Sequence, residues 1–322
     1  MEKSTLLESL TPFLKVDHQV DLSGDMATET IHNPTPELVA NQRYFGTPEW
    51  AKDYFDACHR TEAFKERWLA ATGSWDDKVV VDIGCGPGNV YATLGGAPKL
   101  LIGVDVAEGS LRMAQSIGYA PLQADAHDLP LVSAFADIVA VNATLHHCTD
   151  MKQVLTEASR LVRPGGLLVI DHDPQHYAWN YRGIGMMFYQ LRHLIYAYCL
   201  PSLHMEKEER TYALATETHH RPGAGVTEEM FLQVLLPLGF DLNFYPHNQT
   251  VGAEALAGEI GKPPHWRYRL GQRLSGLNPN LPEAALSLMC VAKRDERHKS
   301  EDAIAKGDRP SENFSKIGLT QN

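Results

Sequence analysis

The hydrophobic positions of the chain change their period near residue 79. Over residues 48–72, Trp50, Tyr54, Phe55, Phe64, Trp68 and Leu69 recur at roughly helical spacing with charged residues between them. Downstream the apolar positions become contiguous. VVVDI (79–83), LLIGVD (100–105), APLQAD (120–125), DIVAVN (137–142) and LLVID (167–171) are short runs rich in β-branched residues. Helix-like stretches such as EGSLRMAQSI (108–117) and DMKQVLTEASRLV (150–162) separate them. Asp150 predicts an N-cap with Gln153 in the capping-box position, and Pro164-Gly165-Gly166 predicts the stop. Strands without polar alternation are buried on both faces, so the pattern predicts a parallel sheet covered by helices on either side, with right-handed crossovers. The rhythm breaks over 174–226, a stretch too long for a plain connection. It resumes with TEEMFLQVLLPLGF (227–240), FDLNFYPHN (240–248) and LSLMCVAKR (286–294).

The expected fold class is therefore α/β: a doubly wound, mostly parallel seven-stranded sheet with a helical insertion after the fifth strand and an N-terminal helical arm. Residues 1–76 read as arm and lid, the polar stretch 1–40 being mobile. Residues 77–294 read as the ligand-binding domain, with 174–226 its substrate-side insertion. Residues 295–322 read as a disordered tail, rich in charge and with Phe314 as its one aromatic. Composition adds exclusions. The 322 residues are 43% hydrophobic and carry a formal charge of -11, which weighs against a nucleic-acid partner. Cys58, Cys85, Cys148, Cys199 and Cys290 are odd in number and form no C-x-x-C pair, against a disulfide framework or a structural zinc. MEKSTLLESL lacks the basic-then-apolar pattern of a secretory signal, so the expected location is cytoplasmic.

The first strand runs into a loop nearly free of side chains, Gly84-Cys85-Gly86-Pro87-Gly88, preceded by Asp82. A loop leaving a parallel strand for a helix N-terminus is where doubly wound folds bind ligands. Its G-x-G-x-G spacing differs from the dinucleotide fingerprint G-x-G-x-x-G, and a P-loop signature is absent. With no Lys or Arg between Lys78 and Lys99, the loop suits a cationic ligand better than a pyrophosphate.

DIGCGPG resembles motif I of the class I S-adenosylmethionine-dependent methyltransferases. The resemblance covers roughly 77–172, with an extension to 294, and implies a Rossmann-like methyltransferase fold using S-adenosyl-L-methionine. It implies that Asp105 chelates the ribose hydroxyls and that Asp125, with Ala126 beside it, contacts adenine. NATLHHCTD (142–150) and RLVRPGGLLVID (160–171) resemble the fourth- and fifth-strand motifs. The implied cofactor set is Asp82, Gly84, Cys85, Gly86, Asp105, Val106, Asp125, Ala126 and Asn142. The N–H groups of Gly84 to Gly86 are expected to receive the methionine carboxylate. Asp105 also suits a plain helix cap, and Asp125 a turn.

Methyl transfer asks the protein to orient the acceptor and exclude water, with a base only if the acceptor arrives protonated. His146, His147, Asp171, His172, Asp173, His176 and Tyr177 follow the fourth and fifth strands. The expected base is His146, paired with Asp171 or His172. No metal is expected, because the Asp-Asn pair of the catechol-type members is missing. The aromatic- and methionine-rich run 177–198 carries Gln190, Arg192 and His193 in its middle, so it reads as a lid or core helix rather than a membrane span. Met187, Phe188 and Leu191 are its expected contacts with a small apolar or aromatic acceptor. A dimer contact through the same helix, and peripheral contact with a membrane, stay open. Tyr44 and Tyr54 are candidates for the methionine end, and WRYRLGQRL (266–274) reads as a solvated surface. The competing functions are a protein or peptide methyltransferase, a nicotinamide-dependent reductase, and a non-catalytic cofactor-binding protein.

Overall fold

The computed structural model describes residues 3–32, 34–46, 59–199, 215–219 and 221–296. The whole 47–58 segment with Trp50, Tyr54 and Phe55, the 200–214 part of the insertion and the tail from 297 lie outside the described residues. In chain order the strands are β1 (Val20–Asp21), β2 (Ala27–Glu29), β3 (Val79–Ile83), β4 (Leu100–Asp105), β5 (Ala120–Gln123), β6 (Ala136–Asn142), β7 (Val162–Asp171), β8 (Phe240–His247) and β9 (Ser287–Arg294). The helices are α1 (Lys3–Leu10), α2 (Pro36–Tyr44), α3 (Glu62–Thr72), α4 (Asn89–Leu94), α5 (Glu108–Ser116), α6 (Met151–Leu161), α7 (Gly183–Cys199), α8 (Glu228–Leu235) and α9 (Trp266–Leu274).

The described residues build a nine-stranded sheet of order β1-β2-β5-β4-β3-β6-β7-β9-β8. Strands β5, β4, β3, β6 and β7 run parallel, and β9 and β8 close one side in antiparallel fashion. All seven expected strands are present. The two additional ones come from the stretch expected to be mobile. There Asp21 accepts the N–H of Ser23 at 2.8 Å, an Asx turn that folds residues 20–29 into a hairpin. Its second strand lies parallel to β5, and Leu10 of α1 and Ala27 are fully buried. Short, polar and pinned by local turn chemistry, this hairpin has no hydrophobic period to read.

Helix α6 starts as expected: Asp150 accepts from the N–H groups of Lys152 and Gln153. The box does not close, because the Gln153 amide donates instead to the His127 carbonyl at 3.0 Å. The chain passes from Leu161 directly into β7, so Pro164-Gly165-Gly166 sits inside the strand as an irregularity of its pairing with β6. On one face of the sheet α3 sets Phe64 and Trp68, both fully buried, against Trp75, Val80 and Ile138. On the other, α6 and α8 bring Leu155, Leu161 and Phe231 against Val139 and Leu168. Among the described residues no helix is long and apolar enough to cross a membrane.

Register decides where the polar residues emerge. Ile83 pairs with both Val104 and Val141, and Asn142 pairs with Asp171. The carboxyl ends of β3, β4, β6 and β7 are thus level, and Gly84, Asp105, Asn142 and Asp171 come out on one rim, at the point where strand order reverses about β3. Because this rim rests on the α3 packing, Trp68→Ala is expected to lower the unfolding free energy by about 3–5 kcal/mol. Urea denaturation followed by tryptophan fluorescence and circular dichroism checks this.

Candidate active site

A cavity of about 320 Å³ opens on that rim. Its floor is the glycine loop. Gly84 has φ +67°, and a Cβ there would lie 2.3 Å from Thr144 Oγ1. Gly86 has φ +53° with open space where its Cβ would stand, the form of a backbone that a ligand approaches closely. The loop N–H groups are engaged within the protein, contrary to expectation. Gly84 and Cys85 donate to the Val104 carbonyl at 2.8 and 3.1 Å. Gly86 donates to Asp105 Oδ2 at 2.9 Å. These bonds fasten the loop to the end of β4, and they remove those donors as receivers of a carboxylate.

Gly84, Cys85, Gly86, Asp105, Val106 and Asn142 all line the cavity, as do Asp125 and Ala126. Asp105 Oδ1 accepts the N–H of Ala107 at 2.8 Å, so it holds the turn that leads into α5 and faces the cavity at once. Burial raises its carboxyl above the usual range against the hydrogen bonds from Ala107 and Gly86. Asp125 is held at 2.6 Å by His127 Nδ1; burial pushes its carboxyl up, but the hydrogen bonds from His127 outweigh this and lower it. Asp82 is the exception. It is fully buried beneath the loop, off the cavity wall, and accepts the Tyr119 hydroxyl at 2.7 Å. Burial raises its carboxyl to about 7. Asp82 shapes the loop from behind and does not face a ligand.

The catalytic pairing also differs. His146 Nδ1 lies 2.7 Å from Asp173 Oδ1, which accepts the His146 backbone N–H at 3.0 Å as well. Burial raises Asp173 to about 7. Asp171 points elsewhere, taking Arg67 Nε at 3.1 Å and His247 Nε2 at 2.7 Å. Burial would raise its carboxyl, but Arg67 and then His247 hold it well below the usual range. Arg67 Nη2 donates to His172 Nε2 at 2.9 Å. An arginine only donates, so that nitrogen is an acceptor already in use and the ring proton sits on Nδ1. His172 therefore lines the cavity without serving as a base.

Sequence reasoning missed His59, buried between Asn89 Nδ2 at 3.1 Å and the Asn142 amide at 3.0 Å. A neutral imidazole has one donor and one acceptor, so one amide meets it through oxygen. Burial lowers His59 to about 4, only partly opposed by Asp171. The expected lid contacts do not hold: Met187, Phe188 and Leu191 are 49%, 47% and 42% exposed and lie off the cavity wall. The apolar wall is made by Trp179, Tyr268, Phe45 and Leu286, with Trp179 and Tyr268 edge to face at 5.5 Å. Tyr268 belongs to the stretch expected to be solvated. Tyr44 is off the wall and its neighbour Phe45 is on it. The stretch 266–274 reads as basic with two aromatics, Trp266 and Tyr268, which does not single out Tyr268; nothing local marked His59.

Among the described residues the wall carries the carboxylates of Asp105, Asp125 and Glu217 and no Lys or Arg. That charge pattern fits a sulfonium cofactor and opposes a pyrophosphate.

Residues 81–170 match the family described as a methyltransferase domain. The chain is 28% identical over 120 residues to the ubiquinone biosynthesis O-methyltransferase of Thiobacillus denitrificans, covering 35% of this chain and 51% of that protein. It is 29% identical over 175 residues to the ubiquinone/menaquinone biosynthesis C-methyltransferase of Acidiphilium cryptum, covering 47% of this chain and 68% of that one. It is 36% identical over 100 residues to the malonyl-[acyl-carrier protein] O-methyltransferase of Pseudescherichia vulneris, covering 30% and 40%. The chain spans about half the length of the curated relatives it matches. A solved S-adenosylmethionine-dependent methyltransferase from Thermotoga maritima superposes with a TM-score of 0.48 at 15% identity, covering 80% of this chain and 100% of that one.

The buried Asp82 has a measurable signature. Burial pushes its carboxyl up to about 7 in the fold, above the ordinary 3.8. The fold keeps the proton where the unfolded chain has lost it, so the Asp82 contribution to stability is greatest below the unfolded pKa and falls as pH rises toward 7. Asp82→Asn removes this titration. The stability difference between wild type and Asp82→Asn, read from urea midpoints, is expected to decline from pH 4 to 7 and level off above; parallel profiles would refute it.

Proposed function

We propose that this protein, whose residues 81–170 match a methyltransferase domain, transfers a methyl group from S-adenosyl-L-methionine to a small, apolar or aromatic acceptor. The observation that carries this reading is one continuous cavity with two chemically distinct halves. One half has the glycine loop, Asp105 and Asp125; the other has Trp179, Tyr268, His146 and His147. Asp105 suits a pair of ribose hydroxyls, because each of its oxygens keeps acceptor capacity beyond the backbone N–H it holds. Asp125 and Ala126 suit the adenine end, and Asn142 and Thr144 the sulfonium end. When bound, S-adenosylmethionine supplies an activated methyl group and its own leaving group.

The chain's residues have the remaining tasks. Trp179, Tyr268 and Phe45 give flat apolar area that suits a ring and excludes water. Two of the relatives carry ubiquinone biosynthesis in their names, which supports a ring-bearing apolar acceptor. His146, oriented by Asp173, is assigned to the acceptor's proton. Asp171 and His172 have no part in that transfer and hold the wall in place.

Two measurements test the reading. Calorimetry should show S-adenosylhomocysteine binding and no NADH binding, and Asp105→Asn should weaken it by about 10–100-fold, the value of a hydrogen bond to a charged group. Equal affinity for the variant removes Asp105 from the cofactor site. With methyl-labelled cofactor and a panel of phenolic, quinol and isoprenoid acceptors, His146→Ala should lower kcat by about 10²–10⁴-fold while S-adenosylhomocysteine affinity stays constant. Unchanged turnover removes His146 from the chemistry.

A further inference from the structure

Three electron-pair donors converge at the acceptor end of the cavity. His146 and His147 lie on the short 3-10 turn Leu145–His147 after β6, with ring centroids 3.9 Å apart. His146 Nδ1 meets the Asp173 carboxylate, and His147 Nδ1 meets the Thr216 carbonyl, each at 2.7 Å. The Thr216 carbonyl only accepts, and so does Asp173 once ionised, so a neutral ring in either position then carries its proton on Nδ1 and turns Nε2 toward the cavity as an acceptor. The Glu217 carboxylate comes to 3.8 Å from His146 Nε2. One ligand atom from each of His146, His147 and Glu217 lies within 4.8 Å of the others. Two imidazole nitrogens and a carboxylate converging on one point attract a cation, either a proton shared by His146 and Glu217 or a metal ion.

We propose that His146, His147 and Glu217 bind a divalent first-row transition ion, with zinc(II) its natural probe. The outer partners support this: ligating histidines commonly donate their second ring N–H to a carboxylate or backbone carbonyl, and both rings here do so. The donor set supports it too, since two imidazoles and one carboxylate suit zinc or iron(II) better than magnesium or calcium. Bonds of about 2.1 Å put tetrahedral donor atoms about 3.4 Å apart, so the set closes by side-chain rotation. Glu217 can make that motion, being 32% exposed. Its backbone is fixed on both sides: Thr216 accepts from His147, and the His219 N–H donates to the His146 carbonyl at 2.8 Å. All three residues line the cavity, so the remaining coordination position faces the acceptor. An acceptor hydroxyl that coordinates there breaks its O–H bond, forms an oxygen–metal bond and releases its proton to water. Its role rests on the methyl-transfer reading, and its binding does not. With the ion in place, His146 Nε2 is a ligand and the ion takes over acceptor activation. The sequence reading expected no metal because it found no Asp-Asn pair; Glu217 was not considered, since it sits in the insertion next to Thr216, which is 69 positions from His147.

The test uses the full chain, stripped with chelator. It is titrated with zinc(II) by calorimetry and with cobalt(II) by visible absorption, and each sample is also titrated with S-adenosylhomocysteine. One equivalent per chain with cobalt d–d bands is expected. Glu217→Gln and His147→Ala should weaken uptake at least tenfold, and Asp173→Asn by about 10–100-fold. S-adenosylhomocysteine binding without metal uptake overturns the metal site alone, leaving an imidazolium–Glu217 pair. Equal uptake by wild type and both ligand variants overturns it as well, since the ion then sits on other histidines. Metal uptake without S-adenosylhomocysteine binding upholds the site and overturns the methyl-transfer reading.

Discussion

The Arg67–Asp171 ion pair governs the site from behind. Both side chains are fully buried, where an unpaired charge is costly and a paired one must have its remaining hydrogen-bonding capacity met. Arg67 meets that demand with its whole fork: Nε on Asp171, Nη2 on His172, and Nη1 on the Val251 carbonyl at 2.7 Å. Asp171 takes His247 on its other oxygen. Helix α3, the end of β7 and the segment after β8 are thereby joined at one point. That point lies behind the rim of the cavity, whose wall includes His172. Burial keeps His172 neutral, the guanidinium reinforces this against Asp171, and its N–H donation fixes the tautomer.

Backbone strain gathers around the same rim. Among the described residues, Ala143, His172 and Gln249 have positive φ although none is glycine, and all three line the cavity. Each follows the end of a strand: β6, β7 and β8. Left-handed backbone at such residues costs free energy and persists where surrounding bonds over-determine it. Here those bonds are visible. His172 is fixed by Arg67, and the Gln249 N–H donates to His247 Nδ1 at 3.0 Å. The turn at His172 is what separates the roles of two nearby acids. Asp171 belongs to the strand and faces Arg67; Asp173, past the turn, faces His146.

This explains which features were legible in the sequence. Contiguous apolar runs fixed the central strands, since a strand buried on both faces has no other pattern. The glycine loop, Asp105, Asp125 and Asn142 were legible because each lies within a few residues of a strand end, where local order determines place. Asp171 and Asp173 were not separable, because strand parity ends at the φ of +62° on His172. His59 and Glu217 were invisible for a different reason: their partners, Asn142 and His146, are brought to them only by tertiary folding. The aromatic run 177–198 misled because apolar content gives no direction; its Met187 and Phe188 face out while Trp179, at its start, faces in.

The sheet ends in unlike strands. At one side β1 offers two residues, Val20 and Asp21, already paired to β2. At the other β8 runs for eight residues from Phe240 to His247. An added strand from another chain needs a run of N–H and C=O groups to bond. Among the described residues only the β8 side provides length for such augmentation, and there Pro246, which has no N–H, withholds a donor. Growth of the sheet between copies is thus confined to one side and weakened there, far along the strand order from the β1–β2 hairpin.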